Sequence, residues 1–141
     1  MSRVCWDSML VMYLLEDHRK FAPVVASVLQ QSMQRGDSLL MSYLSLAETL
    51  VVAPAESVVS KTLVSTLDSM GFRFLSFDAG AVEPFRLLRN DFGLKAPDAM
   101  HLACAAAGKV DLFLTGDKQL LSKRLIIPGI QFIADFEHPP F

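Results

Sequence analysis

The sequence predicts an α/β fold in which a mainly parallel sheet is covered by helices on both faces. Short apolar runs of strand length alternate with longer helical stretches along the whole chain of 141 residues, the signature of parallel-sheet units. The first of these runs is continuously apolar rather than alternating, as strands buried on both sides are. No internal repeat and no low-complexity linker interrupts the pattern, so one domain over residues 1–141 is expected, large enough for a proper core.

Residues 3–7 (R-V-C-W-D) read as a buried strand closed by an acid, and residues 8–16 as the helix that follows. A second helix is predicted over 21–35, ended by Gly36 as its C′ residue. A short strand over 39–42 precedes helices over 43–52 and 57–70, with Pro54 between them and Gly71 stopping the second. The β-prone run R-F-L-S-F predicts a strand over 73–77. Helices follow over 79–91 and 97–107, the latter with Pro97 in its first turn and Gly108 at its end. A buried strand over 111–115, a short helix over 118–123 and a strand over 130–134 complete the order.

Composition narrows the classes. With 52% hydrophobic and 20% charged residues the chain is globular rather than disordered. The apolar share is high for a lone small domain and points to a homodimer interface, with Met9, Val11, Met12 and Leu15 of the first helix as candidates. A formal net charge of -2 provides no global basic field, so nucleic-acid contacts would have to come from local Lys/Arg patches and a bound metal. Cys5 and Cys104 lie in apolar runs and read as reduced, buried thiols of a cytoplasmic protein. Three scattered histidines do not make a zinc set. No membrane span is expected: the run over 9–15 is too short, Glu48 interrupts the other long apolar region, and Asp7 falls where a signal peptide would need its apolar stretch.

Four acids stand where strands end or helices run: Asp7 in V-C-W-D-S, Glu48 in S-L-A-E-T-L, Asp98 in L-K-A-P-D-A-M-H-L-A and Asp117 in D-L-F-L-T-G-D. Ligands of parallel sheets bind beyond the carboxyl ends of the strands, which places Asp7 and Asp117 on one rim. Two carboxylates ~4 Å apart repel by roughly 4 kcal/mol at an effective dielectric near 20. A cation or raised pKa values must compensate. Hard divalent cations on oxygen ligands are what nucleases use to cut phosphodiesters.

Each acid also has a plain structural reading. Asp7, Asp98 and Asp117 can all serve a helix N-terminus. Glu48 lies on a helix that is apolar nearly all round, so it needs a partner or an edge from which to reach water. Asp111 opens the strand that Thr115 ends, ~13 Å away, and is assigned a structural role. His101, one turn after Asp98, fits a surface or hydrogen-bonded residue better than a base. Lys95, Lys118, Lys123 and Arg124 flank the acids in sequence and are candidates for RNA phosphates, as well as ordinary solvated charges. A haloacid-dehalogenase phosphatase would need an acid where Met9 stands, and a response-regulator receiver an acidic pair where Asp7 stands alone.

Taken together, these segments resemble the PIN-domain ribonucleases, and among them the VapC-type toxins of toxin–antitoxin pairs, over nearly the whole chain. The resemblance implies a three-layer α/β/α sandwich with a mainly parallel sheet, and a Mg²⁺- or Mn²⁺-dependent endoribonuclease acting on single-stranded or structured RNA. Such toxins are often dimeric and held in check by a cognate antitoxin. Position by position, the family's metal-binding acids fall on Asp7, Glu48, Asp98 and Asp117, and its assisting hydroxyls on Ser8 and Thr115. Gly116 and Leu120 depart from the polar residue and the aromatic that many members carry there, which bears on RNA specificity. The alternatives are a PIN nuclease of RNA processing and a PIN fold that binds with little cleavage.

Overall fold

The computed structural model describes residues 2–52 and 57–141. In chain order the described elements are β1 (Arg3–Trp6), α1 (Ser8–Leu15), α2 (Ala22–Arg35), β2 (Ser38–Ser42), α3 (Tyr43–Val52), α4 (Val58–Ser69), β3 (Phe72–Leu75), α5 (Ala79–Asn90), α6 (Ala96–Ala107), β4 (Val110–Thr115), α7 (Lys118–Ser122) and β5 (Ile130–Asp135). The strands form one sheet in the order β3-β2-β1-β4-β5, and every neighbouring pair is parallel.

Strand periodicity divides the interior into two cores. Successive side chains of a strand point to opposite faces. Val4 and Trp6 of β1 therefore join Leu39 and Met41 of β2 and Leu112 and Leu114 of β4 in one cluster, with Leu10, Val25 and Leu63 from α1, α2 and α4. Cys5, Leu40 and Phe113 point the other way, to Leu88 of α5 and Leu102 of α6. Helix, sheet and helix make the expected three layers. Fully burying an aliphatic or aromatic side chain contributes roughly 1.5–3 kcal/mol, so both faces must be covered for these strands to persist. Trp6 also meets Phe72 edge-on, ring centroids 5.0 Å apart. Cys5 and Cys104 are buried and unpaired.

The order of the strands creates a crevice. From β1 the chain steps outward to β2 and β3, then returns through α5 and α6 to place β4 on the other side of β1. The connections leaving β1 and β4 thus turn to opposite faces of the sheet, and a parallel sheet offers its ligand crevice at such a reversal. Asp7 follows β1 and Asp117 lies two residues beyond β4.

The element boundaries depart from expectation in small ways with identifiable causes. The strand expected over 73–77 is β3, Phe72–Leu75. As an edge strand it pairs only with β2, whose last partner, Ser42, faces Leu75. Ser76 and Phe77 have no strand beside them, and Asp78 already caps α5. The break expected at Pro54 lies outside the described residues. Val11, a candidate for a subunit interface, is 1% exposed within the chain's own core; Met9 and Leu15 pack against the same cluster. No helix among the described residues is long and apolar enough to cross a membrane.

Candidate active site

Asp7 is fixed from both sides. Its backbone N–H donates to Leu114 O across the β1/β4 pair (2.9 Å). One carboxylate oxygen accepts from Ser8 N at 2.7 Å, capping α1. The other accepts from Thr115 Oγ1, also at 2.7 Å. Thr115 is fully buried and its hydroxyl oxygen in turn accepts from Asp117 N at 3.1 Å. A hydroxyl at the end of β4 thereby ties together the two acids that sequence reasoning placed on one rim. The Ser8 hydroxyl lies 3.4 Å from the same Asp7 oxygen that its backbone engages.

Asp117 caps α7 through a single oxygen, accepting from Gln119 N (3.0 Å) and Leu120 N (3.2 Å). Between it and Thr115, Gly116 sits in a slot with no room for a side chain: a Cβ there would lie 2.7 Å from Phe136 Cε1 and 2.8 Å from Met9 Sδ. The polar residue expected of the family at this position would not fit without a shift of Phe136 or Met9.

Asp98 behaves differently from the two capping acids. It stands in the first turn of α6, where the helix macrodipole favours an acid, and the N-cap residue of that helix is Lys95, with no side-chain cap bond. Its carboxyl pKa is raised, first by desolvation and then by the negative charges of Asp117 and Asp7; the opposing pull of His101 and Lys95 is smaller. Three carboxylates from β1, α6 and the β4–α7 turn therefore act on one another. Two of them, Asp7 and Asp117, are held by neutral hydrogen-bond donors.

Glu48 stands on α3, linked toward Asp98 through His101, which acts on the Asp98 charge. Its neighbours Ala47 and Val51 face solvent, Val51 at 83% exposure, so the apolar face that Glu48 shares is turned outward; the buried face carries Ser45, Leu46 and Thr49. Glu48 itself is half-buried and has the partner that its setting demands: His101 Nε2 lies 2.7 Å from Oε1. His101 is buried, and its Nδ1 is 3.0 Å from both Ser42 Oγ and Ser45 Oγ. Sequence reasoning did not bring His101 into the site. Its one signal was the polar residue among Ala99, Leu102 and Ala103 on the buried stripe of α6.

The basic candidates separate. Lys95 and Lys123, with Gln119, Leu94 and Leu120, line an open pocket of about 370 Å³ that also borders Asp98 and Asp117. Lys118 turns elsewhere, to Asp135 at 2.7 Å and Glu137 at 3.8 Å. Arg124 lies beyond α7 in left-handed backbone conformation, φ 50°. The donors facing the crevice are oxygens, the kind a hard divalent cation takes. Among the described residues no three His, Cys, Asp or Glu side chains are drawn together closely enough to grip an ion as they stand.

Comparison with known proteins places this geometry. A family model of the PIN domain matches residues 4–124. No curated protein matches the sequence. Among solved structures the chain is similar to one of VapBC2 from Rickettsia felis bound to a DNA fragment from its promoter (TM-score 0.70, 15% identity, 94% of this chain and 97% of that one). It is also similar to DNA-bound VapBC from Salmonella typhimurium (TM-score 0.68, 15% identity, 96% and 99%). A toxin–antitoxin complex from Klebsiella pneumoniae aligns over 90% of this chain and 94% of its own (TM-score 0.61, 18% identity). At these identities the likeness is one of fold.

Proposed function

Because the chain belongs to the PIN domain family, we propose that it is a Mg²⁺- or Mn²⁺-dependent endoribonuclease, the toxin of a type II toxin–antitoxin pair acting in the cytoplasm. The observation that carries the reading is the meeting of Asp7, Asp98 and Asp117 at the strand-order reversal beside β1 and β4: one Thr115 hydroxyl joins Asp7 to Asp117, and Asp98 and Asp117 border one pocket. Asp7, Asp98 and Asp117 would hold the cation, with Glu48 approaching from α3. When bound, the cation supplies a water that ionises near neutral pH and neutralises charge on the phosphoryl group.

The chain's own residues set the stage. Thr115 holds Asp7 and Asp117 in mutual register through one hydroxyl, and the Ser8 backbone N–H donates to the other oxygen of the Asp7 carboxylate. Lys95 and Lys123 border the pocket beside Asp98 and would take RNA phosphates, with Arg124 and the more committed Lys118 further out. Purified protein should cut single-stranded RNA in Mg²⁺ or Mn²⁺ and stop in excess EDTA. Undiminished cleavage in the chelator would sink the metal assignment.

The partner reading draws support from the toxin–antitoxin complex among the structural neighbours. A cognate antitoxin would close the acidic crevice, and an arginine could pair with two of its carboxylates. Expression alone should slow growth and co-expression of the adjacent small gene should restore it, with the two products co-purifying. Harmless expression of a protein that cuts RNA efficiently would transfer it to RNA processing; absence of cleavage would leave a binding module. The homodimer is read by light scattering at tens of micromolar, where a monomer alone contradicts it.

A further inference from the structure

Helix α6 buries Ala99, Leu102, Ala103, Cys104, Ala105 and Ala106, and one polar side chain among them, His101, 6% exposed. A leucine would fill that place at no polar cost. A buried imidazole must have both ring nitrogens satisfied, and here both are. A carboxylate only accepts, so the 2.7 Å contact with Glu48 Oε1 puts the hydrogen on His101 Nε2. In the neutral ring Nδ1 is then the acceptor, and two serine hydroxyls lie 3.0 Å from it.

The serines form an ordered chain of donors. Ser45 N donates to Ser42 Oγ at 3.0 Å, the Ser42 hydroxyl donates to Ser45 Oγ at 3.2 Å, and the Ser45 hydroxyl is left to donate to His101. Both serines are buried, Ser42 at the end of β2 and Ser45 in the first turn of α3. Thr49 Oγ1 closes the same turn onto Ser45 O at 2.9 Å. Ser45 and Glu48 are three residues apart on α3, as Asp98 and His101 are on α6. The imidazole is thus clamped by one end of α3 and grips the acid a turn further along, from the helix that carries Asp98.

We propose that His101 is a positioning residue: anchored by Ser42 and Ser45, it donates Nε2–H to Glu48 and holds that carboxylate in the one orientation in which it serves the cation site. The inference rests on the metal-dependent reading above. Partners that orient a ligand are worth about 10- to 100-fold in metal affinity, whereas a histidine that merely glues α3 to α6 would change stability and leave affinity alone.

The test uses the full chain and Mn²⁺ as probe, by calorimetric titration. In His101→Asn the amide replaces Nδ1, keeping the serine side and losing the donor to Glu48; in His101→Gln it reaches the Nε2 position. His101→Asn should weaken Mn²⁺ binding about tenfold, and His101→Gln should recover most of that. In a Glu48→Gln background the Asn substitution should cost less than about twofold more, since residues acting through one another are not additive. Melting temperatures of all variants, taken without metal, separate this from a loss of fold. Equal Mn²⁺ affinity in His101→Asn and wild type overturns the proposal, as does a full tenfold loss in the Glu48→Gln background or a Gln variant no better than Asn. If the wild-type chain takes up no Mn²⁺, the metal reading itself fails and the positioning role with it.

Discussion

The two rims of the sheet treat their acids in opposite ways. At the amino ends of the strands, Asp37 accepts from Ser2 N at 2.8 Å and lies 3.4 Å from Arg35 Nε. Asp111 accepts from Arg3 N at 2.8 Å, while the Arg3 guanidinium reaches Gly108 O. Each acid there has its own donor, and arginines stand beside both. At the carboxyl ends, Asp7 and Asp117 are held by a threonine hydroxyl and backbone N–H groups, and the Asp98 pKa is raised by desolvation and by the charges of Asp117 and Asp7. The acids of the amino rim stand apart, each with its own backbone donor. The acids of the carboxyl rim instead gather at the strand-order reversal, which is the basis of the cation site proposed above.

The contrast breaks most visibly in activity. Asp98→Asn should lower RNA cleavage by at least about 100-fold, the upper end of what even outer-sphere partners of a metal cost. Asp111→Asn, at the compensated rim, should leave cleavage within about twofold. Initial rates on one RNA substrate at saturating Mg²⁺ decide it, and equal losses in the two variants would erase the distinction between the rims.

Added bulk at the carboxyl rim gives a second, smaller effect. Gly116→Ala places a methyl 2.7 Å from Phe136, a side chain only 1% exposed. Overpacking of this kind costs about 1–3 kcal/mol, readable as a lower denaturant midpoint. The Met9 thioether can swing aside, but the Phe136 ring is packed into the core. An unchanged midpoint would show that the slot is softer than it looks.

A smaller effect separates the lysines. Lys95→Ala and Lys123→Ala should each weaken RNA binding a few-fold, and each should flatten the dependence of log Kd on log salt by about 0.7, as loss of one phosphate contact on a single strand requires. Lys118→Ala should flatten it less, since Lys118 is already engaged by Asp135.

The smallest effect is on stability against pH in metal-free buffer. Folded Asp98 holds its proton more tightly than the unfolded chain does. The folded state therefore binds more protons just above the ordinary carboxylate range, and stability should fall as pH rises through that window. Asp98→Asn should remove this slope and melt at an equal or higher temperature than the parent at neutral pH. Asp135 has the opposite sign: burial raises its pKa, but the Lys118 hydrogen bond and Glu137 N–H outweigh that and hold it lowered. Its stabilisation is present above the ordinary carboxylate value and is lost as pH falls through the lowered one.

Much of this was legible in the sequence, for reasons of range. Strands and the acids that close them are local patterns, so Asp7 and Asp117 could be set on one rim, and Asp111 set apart, from spacing alone. Glu48 could be seen to need a partner because a helix face is also local. Which partner it finds depends on α6 packing beside α3, bringing together residues 53 positions apart, and nothing in the spacing of His101 announces that. The commitment of Lys118 to Asp135, from a strand formed 17 residues later, is hidden for the same reason. The early end of β3 reflects the length of its only neighbour, β2, a property of the sheet and not of R-F-L-S-F.

The central claim is that the carboxyl rim, and not the amino rim, is a divalent-cation site. Calorimetric titration of Mn²⁺ into wild-type protein, Asp98→Asn and Asp111→Asn tests it most directly. Saturable binding in the wild type and in Asp111→Asn, lost in Asp98→Asn, is the expected result. Binding that survives Asp98→Asn unchanged, or is lost equally in Asp111→Asn, would contradict it.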